Sequence, residues 1–324
     1  MRRAESLSEI AEALRSAHSI ALCGHHNPDG DSIGSVCALT HVLRSMGKEV
    51  QPLLSTHEVI PDIYLFLEHA DEFLPARDYR GTPDLFLALD VSDRQRIMEA
   101  GEVFDRARTR VALDHHPNSE EIWDLCYSDP DVAACGILVW ELAPLLGFVP
   151  DETFASACYV AVMTDTGRFQ FQNTDARAFR VAMQCCEAGA DVGAIAEEVY
   201  QNRTIASVGL ELLVFERMAF ACDGDVVYSW VDDSDLEKLG ARKQDADNLI
   251  DYIRSVKGPR VAFFIRASDR NIRGSMRAKD DTDVSAIAAQ LSGGGHRAAA
   301  GFRFCGTVED CAERVVALCQ EVLG

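Results

Sequence analysis

The chain has 324 residues, more than one core comfortably fills, so length alone predicts two domains of ordinary size. Hydrophobic residues make up 48%, yet no apolar run approaches the roughly 20 residues that cross a bilayer, which excludes a membrane-spanning class. The net charge, 31 − 52 = −21, excludes a protein that coats long nucleic acid through a general basic surface; a polyanionic substrate would need a local positive site, made by metal ions or clustered arginines.

The opening MRRAESLSEIAEALRSA reads as an amphipathic helix, without the apolar core or cleavage site of a secretory signal. The 11 cysteines are odd in number, dispersed and free of any C-x-x-C pair, as expected of reduced thiols in a cytoplasmic protein. SIALCG (19–24) predicts a strand, 32–46 a helix and KEVQPLL (48–54) a second strand. A helix near 60–68, a short strand about 72–74, the apolar strand DLFLALD (84–90), helix-like 95–100 and the strand RVALD (110–114) follow. Such alternation predicts a mainly parallel sheet flanked by helices, a fold in which ligands collect beyond the carboxyl ends of the strands.

Helical periodicity covers 133–146, 153–164 and 176–188, and a further helical stretch runs from about 191 through 219. Next come a strand (225–231), a helix (246–255), two strands (260–268 and 272–278), a helix (284–291), a Gly-rich turn and a terminal helix (308–323). The expected organisation is an α/β domain over 1–190, a helical connector over 191–214 and a smaller mixed-sheet α/β domain over 215–324, with the boundary between about 190 and 215 and an active-site cleft between the domains.

Four segments, HHNPDGDS, ALDVSD, LDHHP and MTDTGRF, place carboxylates or imidazoles just after a predicted strand or on a predicted helix. Asp29 and Asp31 stand two apart in a turn shaped by Pro28 and Gly30, four residues and more after His25. Asp90 ends one strand, Asp114-His115-His116 ends another, and Asp165 lies near the carboxyl end of a helix. Carboxylates gathered this way repel one another and raise one another's pKa unless cations neutralise them. Oxygen donors with imidazole and no thiolate favour a pair of Mn2+ ions, with Mg2+, Co2+ or Zn2+ as alternatives, a standard device for hydrolysing phosphate esters. Each piece alone has an ordinary explanation, since PDG is a common turn and a strand-ending Asp often caps the next helix. His26, His41, His57 and His69 fit no such pattern and read as surface or core residues.

In these four segments the sequence resembles the DHH phosphoesterase superfamily, named for the triplet seen here as Asp114-His115-His116. The carboxyl end is similar to the associated DHHA1 domain, in IRGSMRA (272–278), DVSAIA (283–288) and GGGHRAAAGF (293–302). The resemblance implies one metal held by His25, Asp29 and Asp90, and a second by Asp31, Asp90, His115 and Asp165, with Asp90 shared. It further implies that Asp114 orients a histidine and that His116 contacts the scissile phosphate or protonates the leaving oxygen. A homodimer is expected by resemblance only.

Between 254 and 279 there are eight Arg or Lys (254, 257, 260, 266, 270, 273, 277, 279) against one acid, Asp269, a local reversal in an acidic chain. Arginine pairs bidentately with phosphate, so a few of these side chains on neighbouring strands are candidates for the non-reacting end of a nucleotide. Arg266, Ser275, Arg277, Gly294, Gly295 and His296 form the candidate substrate set, the glycines for close backbone approach. Arg168 and Phe169, directly after Asp165, are open to either a structural or a substrate role.

The layout resembles the bifunctional oligoribonuclease and 3′-phosphoadenosine 5′-phosphate phosphatase group. That implies hydrolysis of RNAs of a few nucleotides to nucleoside 5′-monophosphates, with removal of the 3′-phosphate of phosphoadenosine phosphate as a second activity. Cyclic-dinucleotide hydrolysis, inorganic pyrophosphate hydrolysis and a non-catalytic nucleotide sensor are the alternatives. Long nucleic acid is not expected as a substrate, for want of spare length or a basic tail.

Overall fold

The computed structural model describes residues 2–57, 59–116, 121–246, 249–269 and 271–323. It divides into two units, Met1–Asn202 and Arg203–Gly324.

The first unit is built on a seven-stranded sheet. Its strands are β1 (Arg2–Arg3), β2 (Ser19–Cys23), β3 (Glu49–Leu54), β4 (Leu74–Pro75), β5 (Leu85–Leu89), β6 (Thr109–Asp114) and β7 (Leu125–Ser128). They lie in the order β1-β7-β6-β5-β2-β3-β4, and every neighbouring pair is parallel. From β2 the chain builds toward one edge through β3 and β4, then crosses back to build β5, β6 and β7 on the other side. Strand order therefore reverses between β2 and β5, and a parallel sheet opens a crevice beyond the carboxyl ends at such a point.

Its helices are α1 (Leu7–Ser16), α2 (Gly30–Ser45), α3 (Gly101–Arg106), α4 (Cys135–Leu145), α5 (Glu152–Asp165), α6 (Ala176–Glu187) and α7 (Val192–Tyr200). The continuous apolar strands bury both faces, because successive side chains point to opposite sides. Leu85, Leu87 and Leu89 join the core under α1, α2, α4 and α5, whereas Phe86 and Ala88 join Ile97, Phe104 and Trp123 on the other side.

Helix α2 is buried on nearly every side and crosses α5 at a separation that only small residues allow. A Cβ on Gly34 would stand 2.5 Å from the Ala157 carbonyl oxygen, and one on Gly30 the same 2.5 Å from Thr164. Gly30 is thus needed for close packing and has no left-handed φ; the backbone freedom expected of it at the PDG turn is not used.

Elsewhere the structure departs from the periodicity. Only Asp62–Tyr64 of the helix expected near 60–68 forms, as a single 3-10 turn, because Pro61 starts it and the left-handed His69 closes the segment. The helix-like stretch at 95–100 is also 3-10, over Arg94–Ala100, and is broken by a positive φ at Met98. The single stretch expected from 191 to 219 is two helices, since Thr204 accepts from the Ser207 N–H at 2.9 Å and so caps a new one, α8 (Ile205–Glu216). The short strands β1 and β7 carried no signal in the sequence pattern.

The second unit carries a six-stranded mixed sheet in the order β12-β13-β11-β10-β9-β8. Its strands are β8 (Ala219–Ala221), β9 (Val226–Asp232), β10 (Val261–Ser268), β11 (Asn271–Ala278), β12 (Gly294–His296) and β13 (Ala299–Cys305). Only β9 and β10 run parallel. With α8 it has α9 (Asp233–Leu239), α10 (Leu249–Arg254), α11 (Val284–Ala289) and α12 (Val308–Leu323). Phe263, Ile265 and Met276 face the core that includes residues of α11 and α12, and Ala262 and Phe264 face the one that includes residues of α8 and α10. The Gly-rich segment expected to be a turn is a strand, β12: a Cβ on Gly293 would meet the Gly301 carbonyl oxygen at 2.1 Å, so glycine lets it lie against β13.

Among the described residues no helix is long and apolar enough to cross a membrane. All eleven cysteines are free thiols.

Candidate metal centre

The loop after β2 delivers His25, Asp29 and Asp31 to the crevice. His25 Nδ1 lies 2.9 Å from the His26 carbonyl oxygen, to which it can donate, so Nε2 is left facing Asp29 Oδ2 at 3.6 Å and Asp90 Oδ2 at 3.2 Å. Asp29 divides its oxygens: Oδ1 caps α2 by accepting from the Ser32 N–H at 3.0 Å, while Oδ2 faces His25. Helix capping and the approach to His25 are here the two halves of one carboxylate.

Asp31 lies in the first turn of α2, buried at 1% exposure. The start of α4 holds it: the Cys135 N–H donates to Oδ2 at 2.6 Å and the Gly136 N–H to Oδ1 at 2.8 Å, with Ser35 Oγ donating at 3.2 Å. Glycine is required at 136, since a Cβ there would approach Ala161 Cβ to 2.4 Å.

Asp90 follows β5 in a left-handed conformation, φ 61°, that Asp tolerates better than most residues. Its carboxylate stands between two imidazoles, with Oδ1 3.2 Å from His115 Nε2 and Oδ2 at the same 3.2 Å from His25 Nε2. His115, at the end of β6, repeats the arrangement of His25: Nδ1 lies 3.1 Å from the Val132 carbonyl, and Nε2 also faces Asp31 at 3.6 Å and Asp165 at 3.8 Å. Asp165 arrives from the last residue of α5.

Sequence-distant groups therefore meet in two sets, His25 with Asp29 and Asp90, and Asp31 with Asp90 and His115, with Asp165 beside the second. Backbone carbonyls on both Nδ1 atoms fix the tautomers that leave Nε2 lone pairs for a cation.

The electrostatics show what the cluster lacks. Burial and the neighbouring Asp90 charge push the Asp31 carboxyl well above the usual range, and burial raises Asp165 to about 6. Burial disfavours charge on His25 and Arg96 repels it, yet Asp29 and Asp90 overcome both and raise it to about 10. Against its own burial, Asp90 is held well below the carboxylate range by His115 and His25. Imidazolium groups thus stand in for cations that a carboxylate cluster requires. The residues fit divalent ions: the donors are oxygen and imidazole, and Asp90 Oδ1 is buried without a hydrogen-bond partner among the described residues.

His116 lies outside this pair of sets. Its Nδ1 is 2.8 Å from Asp114 Oδ1, which also accepts the N–H groups of His115 at 2.8 Å and His116 at 3.1 Å, while Ser92 Oγ donates to Asp114 Oδ2 at 2.6 Å. Held from behind, His116 directs Nε2 toward Arg96, whose Nη1 is 3.2 Å away. Neither Arg96 nor Ser92 was singled out from sequence: Arg96 sits in a stretch read only as helix-like, and Ser92 in the ALDVSD segment, where Asp90 alone was named. The donors from α4 could not be read at all, because they are main-chain groups.

In the second unit, register puts most of the substrate set on one face. Arg266, Arg273 and Arg303 form one row, Ser275, Gly301 and Gly294 a second, and Arg277, Ala299 and His296 a third. Gly295 falls on the opposite parity, opposite Ala300. Arg266, Arg273 and Ser275 line a pocket with Phe264, Leu249 and Ile250. Other charges of the basic stretch are engaged structurally: Arg260 pairs with Asp280 at 2.6 Å and Asp225 at 3.4 Å, and Lys279 Nζ donates to the Val256 carbonyl. Arg270 lies outside the described residues. Arg168 stacks over Tyr200 at 4.7 Å and Phe169 on Phe179 at 5.3 Å, so both make structural contacts.

A parallel sheet with two His-Asp sets that could hold metal ions at its switch point, followed by a mixed-sheet unit with an arginine-bearing face, defines a two-domain class of protein. Residues 19–164 match the DHH family, N-terminal domain, and residues 223–324 match the DHHA1 domain, so the chain carries a DHH domain followed by a DHHA1 domain. It is 29% identical over 98% of its length, and 95% of the relative's, to the bifunctional oligoribonuclease and PAP phosphatase NrnA of Thermus thermophilus. To the protein of the same name from Bacillus subtilis it is 25% identical, over 97% of this chain and 99% of that one. The crystal structure of an exopolyphosphatase-related protein from Bacteroides fragilis has the same fold, with a TM-score of 0.89, 23% identity and coverage of 97% and 95% of the two chains.

Proposed function

We propose that this protein is a two-metal phosphoesterase that hydrolyses short oligoribonucleotides, of two to a few nucleotides, to nucleoside 5′-monophosphates. Removal of the 3′-phosphate of 3′-phosphoadenosine 5′-phosphate, leaving AMP, is a second activity of the same centre. The observation that carries this reading is the pair of His-Asp sets sharing Asp90.

His25, Asp29 and Asp90 would hold one divalent ion, and Asp31, Asp90, His115 and Asp165 the other, Mn2+ by the mixed oxygen and imidazole donors. When bound, such ions neutralise phosphate charge and activate water. The chain's own residues supply the rest. Asp114 holds His116 so that Nε2 can deliver a proton to the leaving oxygen, and Arg96 beside it is placed to bind a phosphoryl oxygen. Arg266 and Arg277 on the second sheet, with Ser275, Gly294 and His296 on the same face, bind the remainder of a nucleotide by charge-assisted hydrogen bonds. The protein acts in the cytoplasm, where its eleven free thiols stay reduced, and as a homodimer.

Purified protein supplied with Mn2+ and, in parallel, a ribodinucleotide, phosphoadenosine phosphate, a cyclic dinucleotide and pyrophosphate tests this reading. Fastest release of 5′-monophosphates from the dinucleotide is expected. Fastest turnover of pyrophosphate or of the cyclic compound would replace the reading, and binding without turnover would make the protein a sensor.

A further inference from the structure

A second group of metal-type donors lies away from the crevice, one on the far half of α2 and two on the turn before Ala70. One donor atom from each of His41, Glu68 and His69 lies within 4.8 Å of the other two. His41 is roughly 15 Å along the helix from Asp31, at 1.5 Å per residue, so this group is separate from the catalytic cluster.

Both histidines have a carboxylate behind them. His69 Nδ1 is 2.7 Å from Glu72 Oε1 and 3.1 Å from Arg44 Nη1; the shorter contact makes Nδ1–H the donor to Glu72, which Arg44 also holds at 2.6 Å. His69 Nε2 then carries a lone pair, and it is buried with no hydrogen-bond partner among the described residues, on a side chain only 9% exposed. His41 Nε2 is 2.8 Å from Asp151 Oδ2, which leaves its Nδ1 for another bond. The two rings are 5.8 Å apart between centroids, and Thr153 Oγ1 donates to Glu68 Oε2 at 3.1 Å.

A carboxylate on the outer nitrogen of each histidine is the arrangement that orients imidazoles toward a metal and raises their basicity. The backbone is also specialised: His69 is left-handed, φ 73°, which a histidine making only a surface ion pair would not need. Formal charge agrees, with the carboxylates of Glu68, Glu72 and Asp151 against the guanidinium of Arg44 around the two imidazoles. We infer that His41, Glu68 and His69 form a zinc site, two imidazoles and a carboxylate with a fourth position open to water. Glu68 is exposed, so exchanging its Thr153 hydrogen bond for the ion would bring its carboxylate to the spacing that ligands at about 2.0–2.1 Å require. The bound ion would tie the turn at Glu68 and His69 to α2, and through Asp151 to the start of α5.

The test is zinc content after dialysis of the metal-free full chain against Zn2+, read as ions per chain, with the zinc-induced rise in Tm alongside. Wild-type protein should hold one zinc more per chain than His69→Gln or His41→Gln. A chain carrying His25→Ala, Asp90→Ala and His115→Ala should retain one zinc and a zinc-dependent Tm shift, both lost when His41→Gln is added. The Co2+-loaded form of that chain should show the intense visible bands of four-coordinate cobalt. The His41 side chain is 21% exposed, more than that of His69, so His41→Gln keeps the test open should His69→Gln fail to fold. Equal zinc content in wild type and His41→Gln overturns the site. Dinucleotide turnover with Mn2+ should be unchanged in His41→Gln, so this inference and the proposed activity fail separately.

Discussion

Asp114 Oδ1 lies 2.8 Å from His116 Nδ1 while accepting two backbone N–H groups, so the carboxylate can neither rotate away nor turn its other oxygen in. Asp114→Asn keeps the shape and removes the charge that fixes the proton on Nδ1. Turnover should fall about 10²–10⁴-fold, as for loss of a positioned acid, with little change in KM. His116→Ala should cost a similar factor, and the double variant no more than the larger single one; steady-state kinetics on a dinucleotide would reveal additive losses, which would mean that the two residues act independently.

Asp90→Ala removes the carboxylate that stands 3.2 Å from both His25 and His115. Turnover should vanish and Mn2+ content should drop from two ions per chain to one or none, measured by metal analysis. Full activity in this variant would sink the two-metal assignment.

Stability of the metal-free protein should fall as pH rises, in two steps. Asp165 is raised from 3.8 to about 6, so between those values the folded state keeps a proton that the unfolded chain has lost, and stability declines through that window. His25 is raised from 6.5 to about 10, so its contribution is full below 6.5 and is lost as pH rises toward 10. Asp90, held low, acts in the opposite sense but only below the ordinary carboxylate range. Urea unfolding across this range should show both declines, with the lower one made shallower in Asp165→Asn, since Asp31 is raised in the same sense. Saturating Mn2+ should reverse the trend, because binding displaces those protons.

Arg96 and Arg277 should separate kinetically. Arg96 Nη1 is 3.2 Å from the His116 nitrogen proposed to serve the leaving oxygen, so Arg96→Ala should lower kcat by ~10²–10³-fold. Arg277 sits on the sheet of the second unit, and Arg277→Ala should raise KM while leaving kcat nearly unchanged. An equal fall in kcat for both would place them in one role.

Gly136→Ala puts a methyl 2.4 Å from Ala161 Cβ and pushes the start of α4 off the carboxylate it holds. A stability loss of about 1–3 kcal/mol is expected, read as a lower Tm, together with weaker Mn2+ binding through Asp31.

Much of the candidate site was legible because its residue types are costly anywhere else. Four aspartates and two histidines placed at strand ends and a helix terminus announce a cluster, and the structure brings together His25, Asp29, Asp31, Asp90, His115 and Asp165. The arginine, serine and glycine set of the second unit was readable as composition, but its arrangement was not. Only strand register shows that Arg266, Ser275, Arg277 and His296 share a face and that Gly295 does not. Three-residue and two-residue strands such as β12 and β1 were invisible, because their pairing partners rather than their own periodicity create them.

By itself, the sequence determined which strands are apolar on both faces, where the helices alternate with them, and which carboxylates and imidazoles must find cations or one another, since side-chain chemistry and period are local properties. Tertiary structure decided the rest. It put β2 beside β5 so that His25 meets Asp90, brought the main-chain N–H groups of α4 onto Asp31, set Arg96 against His116, and gathered His41, Glu68 and His69 from segments read as ordinary. These relationships depend on how chain segments pack in space, and no residue's own identity or spacing encodes which distant backbone or side chain will lie within hydrogen-bond reach.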